Sequence, residues 1–347
     1  MCIYENDSIY LNHISNNLHE ISEYLTEKSE IIPVQKLKLQ IDYPLKCQLK
    51  EDDILYYLHI PKTAGTSLIS IIDSYFERKK VLGAHAWKEL LPKMPIDFKK
   101  YKFVRGHFGY GIYRILPKKP IYITMLRDPK EIIISSYKML QRQSFEAKRY
   151  SIPQDKAISE LLTDPKIRPL KNVQTHYIAV DLDVLSRAKG MGMDELADYQ
   201  PEEHDYFLFP KISDEKLLKI AKQHLSDFTF VGLTEKMEES LFLLHYTFGW
   251  KPLRNVVRKN VAPDQDPEFL SEEAKHNLDN WSKLDQDLYN FAQQLFDSRY
   301  SQMVDYLMKN YFEPRFSQMS SNDAVYEMLK KHHDKQFGRL QDNQMSL

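Results

Sequence analysis

The stretch ILYYLHIPKTAGTSLISIIDSYF, residues 54–76, decides the fold. Residues 54–60 are mostly apolar, which is typical of a strand that is buried on both faces of a sheet. After a turn of small residues, Leu68, Ile71, Ile72 and Tyr75 recur at helical spacing and predict an amphipathic helix. The stretch therefore predicts the strand, turn and helix from which parallel sheets are built.

Three further segments carry the same strand signal. Residues 120–127 (PIYITMLR) predict a strand followed by a helix from residue 130, and residues 228–233 predict a strand followed by a helix from about residue 235 to residue 248. Residues 98–108 (FKKYKFVRGHF) predict a fourth strand that ends at a loop. Because strands alternate with helices, we predict an α/β fold, a P-loop-like three-layer sandwich with a central parallel sheet flanked by helices.

The other segments are predicted to be mainly helical. Residues 1–50 are expected to form a helical extension, because Leu11, Ile14 and Leu18 follow one another at three- and four-residue spacing. The α/β domain is predicted to span residues 51–312, with a mostly helical, proline-interrupted insertion over residues 145–225 on its substrate side. Residues 271–312 are expected to be helical again, and residues 313–347 are expected to form a C-terminal tail with a weakly helical stretch at Met328–His333.

Composition and charge narrow the classes of function. The 347 residues contain 48 Lys and Arg against 49 Asp and Glu, which disfavours a nucleic-acid partner or a membrane-surface protein. No run of 18 apolar residues occurs, so no membrane span is expected. Two cysteines, and a start without a basic segment followed by an apolar core, favour a cytoplasmic location. Because the net charge of the chain is close to zero, any anion-binding site must be a local cluster of cations and amides.

The turn after the first predicted strand has the composition of such a site. In a parallel sheet it lies at the carboxyl edge, where the unpaired amides and the dipole of the next helix attract anions. It contains two small residues, three hydroxyls and one cation: Ala64, Gly65, Thr63, Thr66, Ser67 and Lys62. It is not a Walker A loop, in which lysine directly precedes Ser or Thr. The plainer alternative is a turn at Gly65, a helix cap at Thr66 and a solvated lysine.

The motif HIPKTAGTS (59–67) resembles the 5′-phosphosulfate loop of sulfotransferases that use 3′-phosphoadenosine 5′-phosphosulfate (PAPS). It is most similar to the branch of heparan sulfate 2-O-sulfotransferase and its bacterial relatives, whose loop reads PKTGGTS or close to it. The one departure is Ala64, which is also small. The resemblance implies that residues 62–67 hold the 5′ end of PAPS and that 3′,5′-adenosine bisphosphate is the product.

A second motif tests the resemblance. In that family an arginine at a strand end and a serine eight residues later bind the 3′-phosphate of PAPS. The segment LRDPKEIIISSY supplies Arg127 and Ser135 at this spacing. An arginine offers a planar fork of donors to phosphate oxygens, which suits the role. The alternative is that Arg127 pairs with Asp128 and that Ser135 lies on a helix surface.

A third motif, FVRGHFGYG (103–111), resembles the segment that carries the family's catalytic base. The resemblance points to His107, since a histidine near neutral pKa can take a proton from an acceptor hydroxyl. The 2-O-sulfotransferase motif begins with a histidine where this chain has Arg105, which we interpret as a substrate-binding residue. His59, His85 and His176 are rival bases, and His59 is expected to be structural.

Two weaker motifs complete the resemblance. KNVQTHYI (171–178) is similar to a segment that lines the acceptor side, which makes Asn172, Gln174, Thr175 and His176 candidate substrate-binding residues. LRNVVRKN (253–260) resembles a late loop that closes over the cofactor. Its candidates are Arg258, Lys259 and Asn260, and a basic exposed loop is the alternative.

The resemblance implies transfer of the sulfuryl group of PAPS to a hydroxyl or amine, with His107 as base and Lys62 assisting the leaving phosphate. No metal is expected. The acceptor stays open between a small molecule, a glycan and a carrier-tethered intermediate, and so does the oligomeric state. The alternatives are a nucleotide-dependent kinase or NTPase, which would need a Walker lysine and a magnesium site, and a catalytically silent nucleotide-binding protein.

Overall fold

The computed structural model describes residues 47–142, 152–167, 170–198, 212–253 and 269–344. Within them, four strands form one parallel sheet in the order β2–β1–β3–β4. The strands are β1 Leu55–Leu58, β2 Phe103–Gly106, β3 Ile121–Leu126 and β4 Phe230–Leu233. Helices flank this sheet, so the predicted α/β sandwich is confirmed.

The described helices follow the strands and fill the insertion. In chain order they are α1 Gly65–Asp73, α2 Trp87–Leu90, α3 Pro129–Arg142, α4 Ile158–Thr163, α5 Val173–Ala179, α6 Val184–Ala188, α7 Met193–Asp198, α8 Asp214–Asp227, α9 Met237–Phe248, α10 Glu272–Trp281, α11 Lys283–Tyr311 and α12 Ser321–Gln344. Short 3₁₀ turns occupy Arg78–Lys80, Leu91–Lys93, Phe98–Lys100, Tyr110–Arg114 and Pro314–Gln318. None of the helices in these ranges is both long and apolar enough to cross a bilayer.

The register of the sheet brings the strand ends together. Leu58 pairs with Gly106 on one side and with Thr124 on the other, and Leu126 pairs with Leu233. All the residues of β1 and β4 are buried, which explains why these strands read as continuous apolar runs. Because every pair is parallel, the turns after β1, β2 and β3 emerge at the same edge.

The C-terminal region is helical, as the sequence predicts, and the structure gives the bounds of its helices. Residues 271–312, which were expected to be helical, form two helices that are divided at Ser282, where α10 ends and α11 begins. The expected tail contains α12, whose Val325, Met328 and Leu329 are buried against the domain. The α/β core therefore extends beyond residue 312. The predicted extension lies outside the described residues except for residues 47–50, which are not helical.

A buried histidine makes the stability of this fold depend on pH. His245 of α9 is fully buried with its ring edge-on to Tyr75, and burial lowers the pKa of His245 to about 4. The unfolded chain binds this proton below about pH 6.5, so the contribution of His245 to folding stability should fall by about 3 kcal/mol between pH 6.5 and pH 4.

Urea unfolding measured from pH 6.5 to pH 4 should show that the free energy of unfolding falls less with decreasing pH in His245→Phe than in the wild type. His276→Phe, a change on the exposed face of α10, should keep the wild-type dependence. Equal slopes for the wild type and His245→Phe would contradict the prediction.

Candidate active site

The turn after β1 has the backbone of an anion loop. Lys62 and Ala64 adopt positive φ angles of 70° and 57°, and Ala64 stands at the N-terminus of α1 without a side-chain cap. Thr63 is fully buried, and its hydroxyl donates to the carbonyl of Ile60 at 2.9 Å. The main chain thus turns sharply, and the amides at the start of α1 face the carboxyl edge of the sheet.

Gly65 is required by the ring of His59. A methyl group at position 65 would overlap this imidazole, which stacks on Tyr57 with ring centroids 5.4 Å apart. Burial, reinforced by the neighbouring histidines, holds the pKa of His59 well below its usual value, so the ring is neutral. These contacts fit the structural role expected of His59, because the ring wedges the turn against β1.

Cations converge on the same loop. Arg127 follows β3, and its Nη1 donates to the carbonyl of Lys62 at 3.2 Å. Burial lowers the pKa of Lys62, and the positive charges of Arg127 and Arg142 lower it further. Arg127 also forms an exposed pair with Glu131 at 3.2 Å. The two predicted phosphate sites, at the loop and at Arg127, therefore adjoin each other.

His107 is held in one tautomer. Its Nδ1 lies 2.7 Å from the carbonyl of His59, which can only accept, so Nδ1 carries the proton and Nε2 is left as an acceptor. The preceding Gly106 has φ +149°, and a side chain there would overlap the carbonyl of His85. Burial lowers the pKa of His107, so the neutral ring needed for a general base is present at neutral pH.

Arg105 is engaged by the protein itself. Its Nε and Nη2 donate to the two carboxylate oxygens of Asp73 at 2.8 and 2.9 Å, and its Nη1 lies 3.1 Å from Nε2 of His85. The side chain is only 12% exposed. Sequence reasoning missed Asp73, because its position in an amphipathic helix pattern gave no sign of a partner on β2. Substrate binding by Arg105 stays a prediction.

His85 belongs to the same cluster. Its main-chain amide donates to Glu89 Oε2 at 2.9 Å, and its carbonyl accepts the amide of His107 at 2.7 Å. Burial lowers the pKa of His85, and the charge of Arg105 acts in the same direction. Two neutral histidines thus lie side by side at the end of β2, so both must be tested as the base.

The NVQT segment forms the start of α5. Gln174 and Thr175 are fully buried, and both bond to Asp285, while the Oδ1 of Asn172 accepts the amide of Leu284 at 2.9 Å. The Nδ1 of His176 bonds to the carbonyl of Asn172 at 2.7 Å within the helix, and burial lowers the pKa of His176. In the structure these side chains bond to protein groups, and their role in binding the acceptor substrate stays a prediction.

The remaining candidates are less informative. Ser135 is half-buried in the second turn of α3, eight residues after Arg127. Thr66 is exposed at the start of α1, and Ser67 is buried beside it. Arg258, Lys259 and Asn260 lie outside the described residues, so their predicted role is untested.

Comparison with known proteins gives the family. The sequence model of a family described as galactose-3-O-sulfotransferase matches residues 99–310, which include His107 and Arg127. The chain belongs to this family. The predicted sulfotransferase family is therefore confirmed.

Individual relatives of this family member are heparan-sulfate 6-O-sulfotransferases. Heparan-sulfate 6-O-sulfotransferase 3 of Homo sapiens is 25% identical over 296 residues, which cover 73% of this chain and 59% of that protein. Heparan-sulfate 6-O-sulfotransferase 1 of Cricetulus griseus is 24% identical over 315 residues, which cover 79% of this chain and 74% of that protein. The chain thus spans about three fifths of the human relative's length. Neither the family nor these relatives single out the predicted 2-O and bacterial branch.

The packing of His59 over the loop can be tested by adding one methyl group. Gly65→Ala should destabilise the protein by roughly 1–3 kcal/mol, because the methyl displaces an imidazole that is backed by Tyr57. This outweighs the gain of up to about 1 kcal/mol that alanine brings to a helix.

Gly83→Ala is the matched control, since a methyl group there meets open space. Its melting temperature should stay close to that of the wild type in the same calorimetric scan. Equal shifts for the two variants would show that His59 yields without cost.

Proposed function

We propose that this chain is a PAPS-dependent sulfotransferase that sulfates a hydroxyl group of a glycan. The observation that carries the proposal is the bond from the Arg127 guanidinium to the carbonyl of Lys62. It joins the helix N-terminus and the arginine into one cationic surface, which suits a ligand with phosphates at both ends of a nucleoside. Family membership supports the same chemistry.

The donor set fits such a nucleotide. The start of α1 supplies backbone amides and hydroxyls, Lys62 supplies a compact charge, and Arg127 supplies a planar fork of donors. Burial lowers the pKa of Lys62, and repulsion by the charges of Arg127 and Arg142 lowers it further, so the site concentrates positive charge. An anionic ligand would relieve this repulsion. When bound, PAPS supplies the activated sulfuryl group.

The residues of the chain then divide the reaction between them. Nε2 of His107 accepts the proton of the acceptor hydroxyl while the oxygen forms its bond to sulfur. Lys62 would neutralise the charge that develops on the bridging oxygen of the 5′-phosphate as bound PAPS gives up its sulfuryl group and that oxygen keeps the electron pair. The loop amides and Arg127 hold the two phosphates, so that attack and departure stay in line.

The choice of a glycan rests on the relatives. Their names specify heparan sulfate, and the family description specifies galactose, so sugar hydroxyls are the shared acceptor chemistry. A small-molecule or carrier-tethered acceptor is the competing outcome of an acceptor screen. Transfer to an amine in the same screen would contradict the proposed hydroxyl acceptor.

Calorimetric titration tests the nucleotide site first. We expect the protein to bind 3′,5′-adenosine bisphosphate with micromolar or tighter affinity, and ATP with Mg²⁺ much more weakly. Arg127→Ala should weaken bisphosphate binding about 10- to 100-fold, because a charged hydrogen bond is worth about 1.5–3 kcal/mol. Arg315→Ala, which changes an exposed residue beside α12, should bind as the wild type does. A protein that ignores the bisphosphate would refute the proposal.

Variants of the two histidines test the base. Transfer from PAPS to a desulfated heparan acceptor should fall about 10²–10⁴-fold in His107→Ala. Because burial lowers the pKa of His107, the acidic limb of kcat/KM in the wild type should lie below pH 6.5. If His85→Ala loses this activity while His107→Ala retains it, His85 is the base and the assignment of His107 is wrong.

A further inference from the structure

A buried carboxylate caps a helix that belongs to another part of the chain. Asp285 of α11 is fully buried, and its Oδ2 accepts the amide of Gln174 at 3.0 Å. Its Oδ1 accepts the amide of Thr175 at 2.7 Å and the hydroxyl of Thr175 at 2.6 Å. These two amides belong to the first turn of α5, where an acceptor normally comes from the helix's own N-cap residue.

The cap is reciprocal. The Oδ1 of Asn172, the N-cap residue of α5, accepts the amides of Leu284 and Asp285 at 2.9 and 3.3 Å, in the first turn of α11. The amide of Asn172 donates to the carbonyl of Trp281 at 2.8 Å. Each helix start thus satisfies the other, which locks α5 to α11 in one register.

This lock reaches the nucleotide site through one side chain. The carboxamide of Gln174 accepts the amide of Arg127 at 3.0 Å and donates to the carbonyl of Arg127 at 2.9 Å. Gln174 therefore holds the main chain at the end of β3 as a neighbouring strand would. Since Gln174 is itself fixed by Asp285, a buried carboxylate on α11 is connected to Arg127 through one intervening residue.

We infer that Asp285 is a positioning residue for the phosphate site at Arg127, acting through Gln174. The inference rests on the proposed function, because it assigns Arg127 to the 3′-phosphate of the nucleotide. The carboxylate of Asp285 bonds to Gln174 and Thr175, so its action on the site is indirect. Its effect is to restrict the main chain from which the guanidinium extends, so its loss weakens the 3′-phosphate contact and spares the contacts of the loop with the 5′-phosphate.

The test compares two ligands that differ only in the 3′-phosphate. At pH 8, Asp285→Asn should bind 3′,5′-adenosine bisphosphate about tenfold more weakly, since an amide hydrogen replaces one of the acceptors. Its affinity for 5′-AMP should stay within about twofold of the wild type. Asp297→Asn is the matched control, because it changes an exposed aspartate on the same helix. It should alter neither affinity.

A double-mutant cycle separates positioning from general loosening. If Asp285 acts through Gln174, Asp285→Asn should add little to the loss of bisphosphate affinity already caused by Gln174→Ala. Thr175→Val removes only one of the three bonds to Asp285 and serves if Asp285→Asn does not fold. Thr175→Val should lose less affinity for the bisphosphate than Asp285→Asn does, and its affinity for 5′-AMP should again stay close to that of the wild type.

The outcomes are distinct. A wild type that does not bind the bisphosphate overturns the proposed function and this inference with it. A wild type that binds, with Asp285→Asn and Thr175→Val losing affinity for both ligands equally, or for neither, leaves the proposed function standing and overturns the role of Asp285. Additive losses in the cycle also overturn it.

Discussion

The pairing of Leu58 with Gly106 and Thr124 is the constraint on which the site depends. Neighbouring strands lie about 4.8 Å apart, so the turns that follow Leu58 and Gly106 begin close together, and the turn after Leu126 of β3 emerges beside them at the same edge. Residues 62–67, His107 and Arg127 occupy these three turns. Any slip in the register would separate groups that have to meet around one ligand.

The sequence was sufficient for the sheet and for the positions of the principal cations. Strands buried on both faces are continuous apolar runs, and a lysine or arginine that directly follows such a run must lie at the carboxyl edge. The partners of these groups were not predictable. Gln174 and Asp285 are 111 residues apart in sequence, and Asp285 looks like any polar residue of an amphipathic helix. The contact of Asp73 with Arg105 was equally unpredictable, because these residues are 32 positions apart in sequence.

The site carries charge that the whole chain does not. The net charge is −1, yet burial lowers the pKa of Lys62, and the nearby charges of Arg127 and Arg142 lower it further. Holding them together costs free energy in the uncomplexed protein, and a bound polyanion returns it. A ligand that binds the native state alone should stabilise the fold, because its binding shifts the unfolding equilibrium.

The reciprocal caps of Asn172 and Asp285 have a consequence for how the chain can change. Replacing either residue alone by one without a side-chain acceptor leaves two amides of the other helix unsatisfied, which costs about 1–3 kcal/mol for each buried group. Any lineage that exchanges this pair must pass through a weakened intermediate or change both residues together. The two residues form one heritable unit, and grafting α5 onto another scaffold would require the start of α11 as well.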